Sequence, residues 1–334
     1  MRAPEFWHEP PGLVAGLLTP FGIAFDAASR LRRAVARAYR APVPVICVGN
    51  LVAGGSGKTP VVLSLAELLK ARGMAPQVIS RGYGGRLAGP VRVDATLHDA
   101  AAVGDEPLLI AARAPCWVAR NRAAGVRAAV SAGAEAILLD DGFQNPSVAK
   151  DLSLVVIDAG FGFGNRRVIP AGPLREPVGA GLARADAIVA IGDDSTTRDL
   201  GAAPCPTLSA ELYPIDGERL ARARVVAFAG IGRPEKFFAS LRGLGAVLTA
   251  CQPFPDHHPF RDNEIARLHE LAARENATLL TTAKDWVRLP PALRSDIEVL
   301  EVEIHWREPE MVEHLLANLV SRGHDRSDLG IARG

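Results

Sequence analysis

The stretch Gly54-Gly-Ser-Gly-Lys-Thr-Pro60 follows the apolar run 43–48 and precedes an amphipathic helix pattern. No other feature of the chain constrains its fold as tightly. A strand, a glycine-rich turn and Lys-Thr at a helix start build a phosphate-cradling loop. Glycines let backbone N–H groups converge on phosphate oxygens, and the helix N-terminus adds partial positive charge. Gly54, Gly55, Ser56 and Gly57 would supply the amides. Lys58 would reach the β/γ-phosphates, and the Thr59 hydroxyl would face Mg²⁺. The consensus places a glycine five residues before Gly57, where this chain has Val52. A plain glycine turn capping a helix is the simpler reading. Strand, Gly-Lys-Thr and helix in register favour a nucleoside triphosphate site.

Short apolar runs alternate with helical patterns along the chain, which is the signature of α/β architecture with a parallel sheet. Strands are expected at 43–48, 77–80, 136–139, 154–158, 187–191, 225–229, 246–248, 278–281 and 297–302. The helix after the phosphate loop has Pro60 in its first turn and ends near Gly73, with Val61, Leu65, Leu68 and Leu69 as its buried stripe. Further helices are expected at 106–113, 119–132, 235–241, 264–275 and 309–321. A length of 334 residues suggests two domains, and a hydrophobic content of 48% is ample for two cores. The break in composition at 192–206 marks the boundary, and the tail from Arg322 reads as disordered.

The formal net charge is +1, so the chain as a whole carries no nucleic-acid signal. Its four cysteines (Cys47, Cys116, Cys205, Cys251) show neither CxxC nor zinc spacing. They read as small buried hydrophobes of a reducing compartment. Residues 12–25 are almost wholly apolar but include Pro20, and the run is shorter than the roughly 20 residues a membrane span needs. A basic helical pattern follows at 29–40, with Arg30, Arg33, Arg37 and Arg40 near one face and Leu31, Val35 and Ala38 on the other. An apolar segment joined to a basic amphipathic helix can lie on an anionic membrane surface or pack on a core with a solvated face.

Several short motifs carry chemistry. The apolar strand 136–139 runs into Asp140-Asp141-Gly-Phe-Gln144, and paired carboxylates at such a strand end hold Mg²⁺ in phosphate-loop enzymes, or simply make a turn. Arg81-Gly-Tyr-Gly-Gly85 follows another strand, and Arg81 is placed to contact phosphate. Gly104-Asp105-Glu106-Pro107 puts two carboxylates at a helix start, a position that also suits capping. Arg175-Glu176 sets a cation beside a carboxylate, for phosphate and Mg²⁺ or as a surface ion pair. In Asp256-His257-His258, a histidine paired with a carboxylate fits better than zinc, because no third ligand lies nearby. Gly230-Ile-Gly232 lacks the third glycine of a dinucleotide fingerprint.

In order and spacing, these pieces resemble the tetraacyldisaccharide 4′-kinases of lipid A biosynthesis. The resemblance runs from about Phe6 to Val320. It is carried by Val48-Gly-Asn50 with the phosphate loop, Arg81-Gly-Tyr-Gly84, Gly104-Asp-Glu-Pro107, Asp140-Asp-Gly-Phe-Gln144, Leu174-Arg-Glu-Pro177, Asp256-His257 and Thr282-x-Lys-Asp285. Asn145, where the family usually has His, and Ala283, where it often has Glu, are departures that touch no assigned residue. The missing first loop glycine is usual in the family.

The resemblance implies two α/β/α-type lobes, the first a P-loop NTPase-like parallel sheet, joined by a short two-stranded linker near 207–212 and 302–305. The segments would be a membrane-associating 1–41, a kinase core 42–206, a second lobe 207–305, and a last helix with a polar tail, 306–334. It implies transfer of the ATP γ-phosphate to the 4′-hydroxyl of a tetraacylated disaccharide 1-phosphate. The enzyme would be a monomer, peripheral on the cytoplasmic face of the inner membrane. Asp105 would be the catalytic base paired with His257, and Lys58 and Arg175 would neutralise phosphate charge, with Arg122 as a further cation. Thr59 with Asp140, Asp141 or Glu176 would surround Mg²⁺, and Arg81 and Gln144 would join the loop at the nucleotide. Two other phosphate-loop functions share part of this set: an ATP-dependent ligase or carboxylase of the dethiobiotin-synthetase kind, and a nucleotide-switched membrane-targeting factor.

Overall fold

The structure is a computed structural model that describes residues 4–192 and 203–319. The expected boundary at 192–206 falls partly outside these residues, and the tail from 322 wholly so. Strands β1 (Val45–Gly49) and β2 (Pro76–Ser80) are buried along their whole length, as strands covered by helices on both faces must be. The chain continues through β3 (Val91–Arg92), β4 (Cys116–Val118), β5 (Ala136–Asp140), β6 (Leu152–Asp158), β7 (Ala187–Ile191) and β8 (Thr207–Pro214). It then makes β9 (Arg224–Ala229), β10 (Val247–Pro253), β11 (Thr278–Thr282), β12 (Ile297–Leu300) and β13 (Val302–Trp306).

These strands form a nine-stranded sheet of order β13-β8-β7-β6-β1-β5-β2-β4-β3 and a four-stranded sheet of order β10-β9-β11-β12. The second sheet is parallel throughout. In the first, only the outer pairs β3–β4 and β8–β13 are antiparallel. The two stretches expected to join the lobes lie in that β8–β13 pair.

Helices α1 (Leu13–Val35), α2 (Lys58–Ala71), α3 (Ala100–Val103), α4 (Asp105–Ala111), α5 (Arg122–Ser131) and α6 (Val178–Leu182) belong to the first lobe. Helices α7 (Pro234–Gly243), α8 (Asp262–Arg274) and α9 (Ala283–Trp286) belong to the second. Val61, Val62, Leu65 and Leu69 of α2 are fully buried against the first sheet, while Leu68 is only partly buried. The last helix, 309–319, returns to the first lobe and buries Val312 and Leu316 in its core. β10 is longer than the expected 246–248 because its pairing with β9 continues past a register shift to Pro253.

The N-terminus departs most from expectation. Residues 13–35 form one continuous helix through Pro20, not an apolar run followed by a separate basic helix. It stops at Val35 because the chain then turns extended: Tyr39 bridges to 147–149 by two backbone bonds, and Pro42 disfavours helix at the residue before it. Arg37 and Arg40 therefore lie past the helix end. Arg33 points inward to Glu176 at 3.6 Å, and Arg30 is spent on Asp26 at 2.8 Å. The basic face is thinner than the sequence pattern suggested.

The apolar side of α1 is open. Leu13, Leu17, Phe21 and Ile23 are 64–89% exposed, whereas Ala15, Gly22 and Asp26 pack inward. A Cβ on Gly22 would meet the Val168 carbonyl at 2.8 Å, so this glycine sets how closely the helix lies on the lobe. No helix among the described residues is long and apolar enough to cross a membrane.

Two sets of ion pairs tie the lobes together away from the linker strands. Asp158, at the end of β6, takes Arg233 and Lys236 from the start of α7, with Lys236 Nζ at 2.7 Å. Asp105 and Glu106, at the start of α4, meet a cluster from the second lobe.

Candidate active site

In open α/β sheets, ligands gather beyond the carboxyl ends of the strands. Here the ends of β1, β5 and β2 converge. β1 leads into the phosphate loop, which turns at Gly57 (φ +80°) into α2. That position admits only glycine without strain, because it is left-handed and a Cβ would lie 2.6 Å from Ile191 Cδ1. Asn50 ties the loop from inside, its amide nitrogen donating to Ser56 Oγ at 3.1 Å and to the Gly54 carbonyl at 3.3 Å. Ser56, Lys58 and Thr59 are buried at the loop's end.

Asp140 and Asp141 end β5 beside the loop. Lys58 Nζ lies 3.8 Å from Asp141 Oδ1, which also accepts from Arg175 Nη1 at 2.7 Å. Burial opposes ionisation of Asp141, but Lys58 and Arg175 win and hold its carboxyl below the ordinary range. Asp140 is the opposite case. Burial, then the charge of Glu106, push it well above the usual carboxylate range despite Lys58 and a 2.9 Å hydrogen bond from Ser80 Oγ. Its Oδ1 is buried without a protein partner, as is Asn50 Oδ1. Arg122 is buried beneath, donating to the backbone carbonyls of Asp140 at 3.0 Å and Ala119 at 2.9 Å.

The residues fit a divalent cation of the hard, oxygen-seeking kind. Among the described residues no group of three or more His, Cys, Asp or Glu side chains could hold a metal alone. Mg²⁺ keeps waters and shares phosphate oxygens, so one or two carboxylates suffice. Asp140, with its unsatisfied oxygen, together with Asp141 and the Thr59 hydroxyl, meets that need.

Glu176 does not stand with them. It is fully buried and taken up by Arg184, Arg33 and Gln144 Nε2, the last at 3.1 Å. Gln144 also donates to the Asn50 carbonyl at 2.9 Å, so it braces the loop from behind. Arg81 lies exposed just past β2, next to Ser80. Asn145, one of the departures from the family pattern, caps its own turn through Ser147.

Asp105 opens α4 after Gly104, whose φ of +89° and 2.5 Å clearance to the Tyr83 carbonyl exclude a side chain. The second lobe brings His257 Nδ1 to 3.0 Å from Asp105 Oδ2. His257 has φ of +58°, uncommon for a non-glycine residue and of the sort found at functional sites. Lys284 Nζ stands 4.0 Å from Asp105 and 3.3 Å from Glu106. Arg288 also reaches Asp105, through Nε at 2.7 Å and through Nη2. Burial would raise the proton affinity of Asp105; the His257 hydrogen bond and the charges of Lys284 and Arg288 outweigh it and leave the carboxyl far below its ordinary range.

Of the expected residues, the fold thus brings Lys58, Thr59, Asp140, Asp141 and Arg175 to one loop mouth and Asp105 to His257 across the lobes. Arg288, Lys284 and Ser80 escaped the sequence reading as site residues. The sole signal for Arg288 is its place three residues after Asp285, at the end of the Thr282-x-Lys-Asp285 motif.

Fold and site together define a two-lobed phosphate-loop nucleotide-binding enzyme. The model of the LpxK family, tetraacyldisaccharide-1-P 4′-kinase, matches residues 14–321. This chain belongs to the tetraacyldisaccharide 4′-kinase family. It is 55% identical over 332 residues to the tetraacyldisaccharide 4′-kinase of Rhodospirillum centenum, covering 97% of this chain and 98% of that one. To the tetraacyldisaccharide 4′-kinase of Rhodospirillum rubrum it is 51% identical over 326 residues, covering 96% and 98%. The crystal structure of "apo" form LpxK from Aquifex aeolicus in complex with ATP matches with a TM-score of 0.75 and 27% identity, covering 92% of this chain and 99% of that one.

Proposed function

We propose that this enzyme transfers the γ-phosphate of ATP to the 4′-hydroxyl of a tetraacyldisaccharide 1-phosphate. The observation that carries the reading is the meeting of Asp105 with His257 across the lobes, together with a phosphate loop that turns at Gly57 into α2. Phosphoryl transfer asks for positioned reactants, cations on the spreading charge, and an acceptor for a proton that leaves late. The loop amides, Lys58 and Arg175 hold the triphosphate and its charge. Asp105 takes the hydroxyl proton, and His257 orients it. Thr59, Asp140 and Asp141 would hold Mg²⁺, which would supply positive charge to the phosphate oxygens. Glu176 and Gln144 serve from behind, as anchors of Arg33, Arg184 and the loop.

Incubation with labelled ATP, Mg²⁺ and the lipid disaccharide 1-phosphate in detergent micelles is expected to yield a bis-phosphorylated lipid. Hydrolysis of ATP without label in the lipid would defeat the reading.

The substrate is a lipid, and the exposed apolar side of α1 supports peripheral docking on a membrane surface; we place the enzyme as a monomer on the anionic cytoplasmic face of the inner membrane, where that lipid would reside. Full burial of side chains such as Leu17 and Phe21 is worth roughly 1.5–3 kcal/mol each. Leu17→Glu with Phe21→Glu is therefore expected to lower co-sedimentation with vesicles containing anionic phospholipid by tenfold or more, at an unchanged melting temperature. Undiminished co-sedimentation would rule out this face as the anchor.

A further inference from the structure

Asp105 has a second partner besides His257, and a more firmly held one. The Arg288 guanidinium is anchored within its own lobe, with Nη1 donating to the Gly230 carbonyl at 2.6 Å and to Asp285 Oδ1 at 2.8 Å. Asp285 is fixed in turn: its Oδ1 accepts from the Gly230 amide at 3.0 Å and its Oδ2 from Thr282 Oγ1 at 2.7 Å. The remaining donors, Nε and Nη2, cross the cleft to Asp105 Oδ2. The Arg288 and Asp105 side chains are each only 5% exposed.

We infer that Arg288 is a positioning residue for the phosphoryl transfer: its fork clamps one oxygen of Asp105 and leaves the other aimed at the acceptor hydroxyl. The inference rests on the reading of Asp105 as the base. Asp105 Oδ2 receives Arg288 Nε, Arg288 Nη2 and His257 Nδ1, whereas Oδ1 holds just the neighbouring Glu106 amide at 2.9 Å. Oδ1 thus keeps the lone pair that a substrate hydroxyl can use. An ion pair needed merely to hold the lobes together would not require this geometry; the more exposed Asp158–Lys236 pair serves that purpose. A buried pair recovers its desolvation cost only with good geometry and further hydrogen bonds, which Gly230 and Asp285 supply to Arg288.

The fork also decides when the base is ionised. The charged or titratable groups facing Asp105 are Glu106 on its own helix, His257 with Asp256 behind it, and Lys284, Asp285 and Arg288 around α9. Removing Arg288 takes away a cation, so the proton affinity of Asp105 rises and the base becomes protonated at a higher pH. A neighbouring Arg lowers a carboxyl by about 1–3 pH units. The acid limb of kcat/KM should therefore move upward by a similar amount in Arg288→Met. kcat at the plateau should fall by roughly tenfold or more, a part of what a positioned base contributes, and KM for ATP should stay the same. Arg288→Lys keeps charge without the fork: its acid limb should stay near the wild-type position while kcat is still lowered.

The pH–rate profiles of both variants, with Asp105→Asn alongside and melting temperatures for all, test this. An Arg288→Met profile superimposable on wild type, or a change confined to KM for ATP, would overturn the inference. If Arg288→Met does not fold, Arg288→Lys decides, and wild-type kcat in that variant overturns it too. Wild-type turnover by Asp105→Asn would instead remove the base reading itself.

Discussion

Asp105→Asn is expected to lower kcat by about 10²–10⁴-fold, the range a positioned general base contributes. KM for ATP should change little, because the phosphate loop is untouched. The substitution keeps the shape and removes the charge. Asn can still accept from Arg288 or His257 through its carbonyl oxygen, but it cannot take up a proton. An aspartate is intrinsically a weak base, with an ordinary pKa of about 4, and three second-lobe partners make this one weaker still. Such a base suffices where the transition state is loose and the proton leaves late. What the site secures in return is ionisation and aim. The depressed carboxyl also contributes to lobe closure above about pH 4, where unfolded aspartates are already ionised, and that contribution is lost as pH falls through the lower native value. Steady-state kinetics with the lipid acceptor at saturating ATP measure the effect; a kcat within twofold of wild type would exclude Asp105 as the proton acceptor.

Lys58→Met is expected to reduce kcat/KM for ATP by about 10²–10³-fold or more, the loss seen when one preorganised charge-stabilising donor is removed. Methionine preserves the length and the burial of the stem. It removes the cation proposed to face the β/γ-phosphates and leaves Asp141 with Arg175 as its remaining ion-pair partner. The loss should be larger in kcat than in nucleotide affinity, since charge spreads on the transferring group only in the transition state. Calorimetric titration with a non-hydrolysable ATP analogue beside turnover measurements separates the two. Unimpaired turnover would show that the loop acts through its amides alone.

Much of this was legible in the chain. The glycine loop, the apolar strands and Pro60 in the first turn of α2 obey local rules, because backbone freedom and burial on both sheet faces are written into residue type. The carboxylates Asp140 and Asp141 were legible for the same reason: they directly follow or end an apolar strand. The helix α1 was misread because the effect of Pro20 depends on what surrounds it; the helix runs through it and ends where the chain bridges to 147–149. Glu176 was expected near Mg²⁺ because it follows Arg175, yet adjacent residues on an irregular loop can point apart. Arg175 turns to Asp141, and Glu176 turns into the cluster with Arg33 and Arg184.

By itself, then, the sequence determined the α/β class, the phosphate loop with its strand-end carboxylates, and the motif set that marks the family, since each rests on short-range pattern. Only the tertiary structure decided which oxygen of Asp105 stays free, that Arg288 holds it, and that Glu176 is spent elsewhere. The Asp105 contacts join residues more than a hundred positions apart across a cleft, and the Glu176 contacts depend on how an irregular loop packs on α1 and α6; local pattern carries no record of either.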